Sequence, residues 1–160
     1  MIRESKRKYA SNSRVGEKGS VMVEFAFSVV LLLVMVFGVI DFGRAMYTYH
    51  FLSNAAREAT RWASVNGATC GSDGSCTTGP ASAGNVSTYV QRIVPPGVDP
   101  TKVITTPTWP GNGTATCNKF PNDPGCPVQV EVSYNFNFLV PIVHNGSITL
   151  SSNSEAIISH

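Results

Sequence analysis

Residues 17–44 read EKGSVMVEFAFSVVLLLVMVFGVIDFGR, and a single glutamate, Glu24, opens a run of sixteen residues, 25–40, with no charge. From Val21 to Ile40 there are twenty residues, fourteen of them Val, Leu, Ile or Phe. At about 1.5 Å per residue, a helix of that length covers the roughly 30 Å hydrocarbon core of a bilayer. Taking about 0.3–0.6 kcal/mol of favourable insertion per apolar residue gives roughly 4–8 kcal/mol, enough to outweigh one carboxylate near the edge. A cleaved secretory signal would have a shorter apolar run, about 7–15 residues, followed by a small-residue cleavage site. Here the run is longer and ends in Asp41, Phe42, Gly43 and Arg44. The reading is a retained transmembrane helix over residues 20–40.

The charges are divided about this span. Six basic residues (Arg3, Lys6, Arg7, Lys8, Arg14, Lys18) lie before Gly19 against Glu4 and Glu17, and beyond it six basic groups face eight acidic ones, which together give the net charge of +2. A basic head taken alone would suit nucleic acid. Immediately before an apolar span it instead places the amino end in the cytoplasm and everything after Arg44 outside, as a single pass.

The helix is expected to continue beyond the membrane. Residues 45–66 hold neither Gly nor Pro, and Ala45, Leu52, Ala55, Ala56, Ala59 and Ala63 fall on one stripe, with His50, Asn54, Arg57 and Arg61 opposite. The small residues of that stripe allow another element to approach closely. Gly67, able to take the left-handed conformation, is the expected terminator. Asp41 and Arg44, three apart, are placed to pair where the helix leaves the bilayer; an exposed pair there would contribute little to stability.

Beyond Gly67 the chain changes character, with all ten prolines, nine of the fourteen glycines and all four cysteines. Asn85 to Val94 reads as a short helix starting at a capping residue, with Val86, Val90 and Ile93 on one side and Pro95 and Pro96 ending it. Lys102 to Thr106 reads as a strand. Val128 to Phe138 is the clearest strand, its apolar residues alternating with polar ones, and Ser147 to Ile158 supplies another after a turn at Asn145 and Gly146. The fold class is therefore α+β: a long amino-terminal helix packed on a small antiparallel sheet of about three strands with one short helix. Its domains are a basic leader (1–19), a transmembrane helix (20–40), its continuation outside (41–67) and a small disulfide-containing domain (68–160).

Cys70, Cys76, Cys117 and Cys126 in an exported segment suggest two disulfides, for which three pairings exist; the local bridges Cys70–Cys76 and Cys117–Cys126 are favoured. Neither local pair has the spacing of a structural zinc site. Such bridges imply an oxidising compartment. His50, His144 and His160 lack partners at ligand spacing, and no nucleophile elbow or phosphate loop is present. The Asn-x-Ser/Thr triplets at Asn85, Asn112 and Asn145 read first as turns. Trp62 and Trp109 suit a core or an interface. The residues point to no catalysis, metal or cofactor, no small-molecule substrate and no nucleic acid.

Glu24 is the exception to this plainness. An ionisable group inside a span is costly unless matched, and it marks function by default, although at the membrane edge it can also snorkel to water. Gly19 followed by Ser20, with Glu24 fifth after the glycine and a basic leader in front, resembles the processing site of type IV pilin precursors. The segment GSVMVEFAFSVVLLLVMVFGVIDFGRAMYTYHFLSNAAREATRWASVNG, Gly19 to Gly67, resembles most closely the TadE-like family of the tight-adherence (Tad/Flp) pilus machinery. Val23-Glu24-Phe25-Ala26, Asp41-Phe42-Gly43-Arg44 and Asn54-Ala55-Ala56-Arg57-Glu58 carry that resemblance.

The resemblance implies a pilin-like, non-enzymatic minor pseudopilin of a bacterial inner membrane, with its outer domain periplasmic or extracellular. It would be cut after Gly19 by prepilin peptidase, so that Glu24 pairs with the new amino terminus of a neighbouring subunit. Its partners would then be the bilayer, the peptidase, other pilins or pseudopilins, and the Tad assembly platform. Two other classes stand beside it: an uncleaved single-span protein whose outer domain binds a partner or the cell wall, and a membrane-tethered enzyme, which would need a polar pocket joining His144 to a carboxylate.

Overall fold

The computed structural model describes residues 17–68, 70, 80–111, 117, 122–139 and 146–159. The chain separates into two compact units, Met1–Val39 and Ile40–His160. Helix α1, Glu17–Val65, passes through both.

Within the first unit α1 is apolar all round. Its side chains from Val21 to Ile40 stay almost entirely exposed, and the helix is long and apolar enough to cross a membrane. A helix that hides no apolar face in protein while being apolar on every side is suited to lipid.

The second unit is the α+β domain. Helix α2 spans Ala83–Arg92, and the strands β1 (Val103–Thr108), β2 (Pro127–Asn137) and β3 (Ser147–Ile157) form an antiparallel sheet in the order β1-β2-β3. Alternation along β2 puts Val128, Val130, Val132 and Phe136 on the buried face. Their β3 partners are Ala156, Ser154, Ser152 and Ile148. Small side chains at 152, 154 and 156 leave room above the sheet, which α1 fills. Leu52, Ala55, Ala56, Ala59 and Ala63 are fully or almost fully buried in the same cluster as Val128, Val130 and Val132. His50, Asn54, Arg57 and Arg61 remain exposed on the other side of the helix.

Polar bonds fix the docking. The Thr60 hydroxyl is shared between Ala56 O (2.7 Å) and Ser154 O (3.2 Å), and the Ser159 N–H donates to Ser64 O at 2.9 Å. The chain thus returns from β3 to the end of α1. That end is closed by Asn66, whose backbone N–H (3.1 Å) and side-chain amide (2.7 Å) both donate to Trp62 O. The helix ends at Val65, two residues before Gly67, and among the described residues Gly97 (φ 92°) and Gly125 (φ 86°) take the left-handed backbone.

Helix α2 begins earlier than its sequence suggested. Ser82, not Asn85, is the N-cap: its backbone is extended and its side-chain oxygen accepts the Asn85 N–H at 3.3 Å. Asn85 turns its amide back to Pro80 O at 3.1 Å. Val86 and Val90 enter the core. The strands lie within one or two residues of their expected bounds, and Asn145, expected in the β2–β3 turn, lies outside the described residues.

The tight helix–sheet contact carries a testable consequence. Ala59→Leu should destabilise the domain by about 1–3 kcal/mol through overpacking, whereas Arg57→Ala, on the exposed side, should stay within about 0.5 kcal/mol. Thermal unfolding of the full chain in detergent micelles distinguishes the two. Equal effects would mean that the alanine stripe is not a close-packed seam.

Candidate functional site

Two places on α1 hold the sequence's candidate residues. At the amino-terminal one, Gly19 and Ser20 lie within the helix and are exposed, and a Cβ added at Gly19 would meet nothing within 4 Å. Glu24 is exposed one turn further on, and Ser28 Oγ donates to its backbone carbonyl at 3.0 Å. Among the described residues no hydrogen bond or ion pair reaches the Glu24 carboxylate. A carboxylate bordering an apolar segment is costly in lipid unless it is matched or reaches water.

The second place is the Asp41–Arg44 pair. Arg44 Nη1 donates to Asp41 Oδ1 at 3.0 Å across the i,i+3 spacing. The pair is not the exposed one expected: Asp41 is 3% exposed. Its other carboxylate oxygen, Oδ2, accepts the Leu139 backbone N–H at 2.8 Å, a contact between residues 98 apart in sequence. The Arg44 guanidinium carbon lies 5.3 Å from the centre of the Phe136 ring, close enough for a cation–π contact. Phe136 in turn meets Phe138 edge-on, with centroids 5.4 Å apart. Asp41 is therefore a clamp that ties α1 to the end of β2, where charge-assisted bonds are stronger than neutral ones.

The remaining candidates divide. Cys117 and Cys126 form a disulfide with Cα atoms 5.7 Å apart. Cys126 also takes the N–H of Ile158, at 2.9 Å. The bridge thus fastens the segment after β1 to the start of β2 and the end of β3. Gly111 is needed beside it, since a Cβ there would stand 2.7 Å from Pro127 Cδ and 3.0 Å from Cys117 Sγ. Cys70 is disulfide-bonded, while Cys76 lies outside the described residues. His144, His160, Asn112 and Asn145 lie outside them too. His50 is an exposed residue edge-on to Tyr49, with ring centroids 6.4 Å apart. No group of three metal-ligating side chains occurs among the described residues.

Trp62 stacks on Tyr89, with centroids 5.3 Å apart and planes 19° from parallel, joining α1 to α2. The Tyr89 hydroxyl donates to Glu58 Oε1 at 2.8 Å. Burial, then the bond and charge of Glu58, push the Tyr89 phenol above its ordinary value of 10.0. On the far side of α2, the Asp99 carboxylate is held below its usual value by the Thr101 hydroxyl (2.7 Å) and backbone N–H (3.0 Å). The Leu139–Asp41, Phe136–Arg44 and Glu58–Tyr89 contacts carry no local sequence signal, because each partner comes from a distant element.

The arrangement is that of a small α+β protein anchored by one amino-terminal apolar helix. The family model described as TadE-like protein matches residues 19–61, and no curated protein and no solved structure matches the chain. The amino-terminal portion of this chain is thus similar to that family, and the match takes in Glu24, the Asp41–Arg44 pair and most of the alanine stripe.

Two outcomes follow from this geometry. Asp41→Ala should cost roughly 1.5–3 kcal/mol, the range for hydrogen bonds to a charged group, and Asp41→Asn less, since its amide oxygen can still accept from Leu139. Unfolding in micelles measures both, and an unchanged Asp41→Ala would deny the clamp. A phenol whose acidity is lowered in the folded state contributes stability that is complete below pH about 10 and is lost as pH rises through the folded value. Tyr89→Phe, which keeps the stack, should therefore flatten the alkaline limb of stability measured between about pH 8.5 and 11.

Proposed function

We propose that this chain is a minor pseudopilin that serves assembly of a tight-adherence type pilus and is not an enzyme. The observation that carries the reading is Glu24: a carboxylate fifth after Gly19, at the start of a segment matching the TadE-like family. In this reading a prepilin peptidase of the cytoplasmic membrane hydrolyses the Gly19–Ser20 peptide bond. Water supplies the hydroxyl to the Gly19 carboxyl and a proton to the Ser20 amine. The released α-amine, with an ordinary pKa of about 7.7–8.0, is a cation near neutral pH. It can pair with the Glu24 carboxylate of an adjacent subunit, each charge offsetting the desolvation of the other in low dielectric.

The basic residues before the span support a cytoplasmic amino end, and the Cys117–Cys126 bridge supports an oxidising compartment for the outer domain. Other pilins or pseudopilins and the inner-membrane assembly platform would be its partners. The mass of the purified mature chain tests the reading. The expected amino terminus is Ser20, and Glu24→Ala should insert normally while pilus assembly fails. An intact leader in cells with an active peptidase would replace this reading with an uncleaved anchored module whose outer domain binds a partner or the cell wall.

A further inference from the structure

The apolar span ends at Ile40, and Asp41 is the next residue. The headgroup layer outside the hydrocarbon core is about 5–7 Å deep, or some four or five residues of helix at about 1.5 Å each. Phe42 and Arg44 stand at that height on α1. Phe42 is 69% exposed. Asp41 holds the backbone of Leu139 at the same level through the 2.8 Å bond, and Leu139 is 61% exposed. The sequence stays apolar from Leu139 through Val143.

We propose that this end of the outer domain rests in the headgroup layer of the membrane that α1 spans. Phe42 and Leu139 are its apolar insertions, and Arg44 is its contact with lipid phosphate. The inference rests on the membrane-span reading and adds a second lipid contact, separated from the first by nearly a hundred residues of chain. Arg44 suits its part: one guanidinium nitrogen is engaged by Asp41, its side chain is 43% exposed, and guanidinium carries further donors for a phosphate oxygen. Continuity with the span selects lipid as the occupant, because these exposed apolar groups stand where the helix meets the bilayer surface.

A site of equal apolar character elsewhere gives the control. Ile157 is 59% exposed and pairs with Pro127, at the opposite end of β2 from Asn137. It lies roughly 33 Å along the strand from the proposed contact at about 3.3 Å per residue.

The test uses the full chain in liposomes of zwitterionic and anionic phospholipid. Leu139→Cys, Phe42→Cys, Ile157→Cys and Leu33→Cys are each labelled with a nitroxide without reductant, so that the Cys117–Cys126 bridge stays closed. Collision with oxygen reports lipid and collision with a water-soluble nickel chelate reports water. The oxygen-to-nickel ratio at 139 and 42 should be several times that at 157, approaching that at 33. A ratio at 139 and 42 equal to that at 157 overturns the lipid contact while leaving the span intact. Labels at 139 and 42 shielded from both colliders would mean that a second protein covers this end, which also overturns it. A label at 33 that meets the nickel chelate removes the span, and the proposal with it.

Discussion

One helix has to satisfy two solvents, and the change from one to the other falls at Asp41. From Phe25 to Ile40, α1 carries no charge on any side; from Leu52 onward it is apolar along one stripe only. A carboxylate at the boundary would be costly in lipid and unremarkable in water. Here it is buried in protein and satisfied from two directions, by Arg44 on its own helix and by the Leu139 N–H at the end of β2. The boundary is thus also where the sheet is fastened, and the register of α1 on β2 follows from it. With Leu139 held at Asp41, Phe136 comes under Arg44, and the alanines further along meet the valines of β2.

The opposite end of the domain is closed by different means. There Ile158 pairs with Cys126, Ser159 binds Ser64 O, and the Cys117–Cys126 bridge joins the strand connection to the sheet. Between the clamp and this closure, the helix–sheet seam is built from alanine, serine and valine, so it depends on closeness more than on area. Small side chains bury little surface each, and a domain of this size has little to spare. Bonds at both ends that prevent the helix from rocking on the sheet are what make such a seam effective.

The periodic features were legible in the sequence and the distant pairings were not. Twenty apolar residues, an alanine stripe and the alternation of β2 each express one element's relation to its surroundings, so the span, the buried helix face and the strands could be read locally. The i,i+3 spacing brought Asp41 and Arg44 together, but it misjudged their setting. Nothing near Asp41 announces Leu139, because a backbone N–H carries no sequence signal. The start of α2 was misplaced for a related reason: Ser82 and Asn85 are both capping residues, and only the extended backbone at Ser82 separates them. Glu24 stood out because it interrupts an apolar run, and the structure adds that no described group answers it.

The extent of the family match can be understood from what α1 must do. It runs from Gly19 to Arg61 and so includes both the lipid-facing part of the helix and most of the part that faces the sheet. A single-span helix can vary among apolar residues on its lipid side, but a charge within it is constrained by its partner. The sheet-facing stripe is constrained by burial: Ala55, Ala56 and Ala59 are almost wholly enclosed. The strands opposite need only alternate and present small or β-branched residues, a condition many sequences meet. An outer domain can therefore change its loops and bridges while α1 keeps its pattern, provided some backbone N–H still reaches the Asp41 carboxylate.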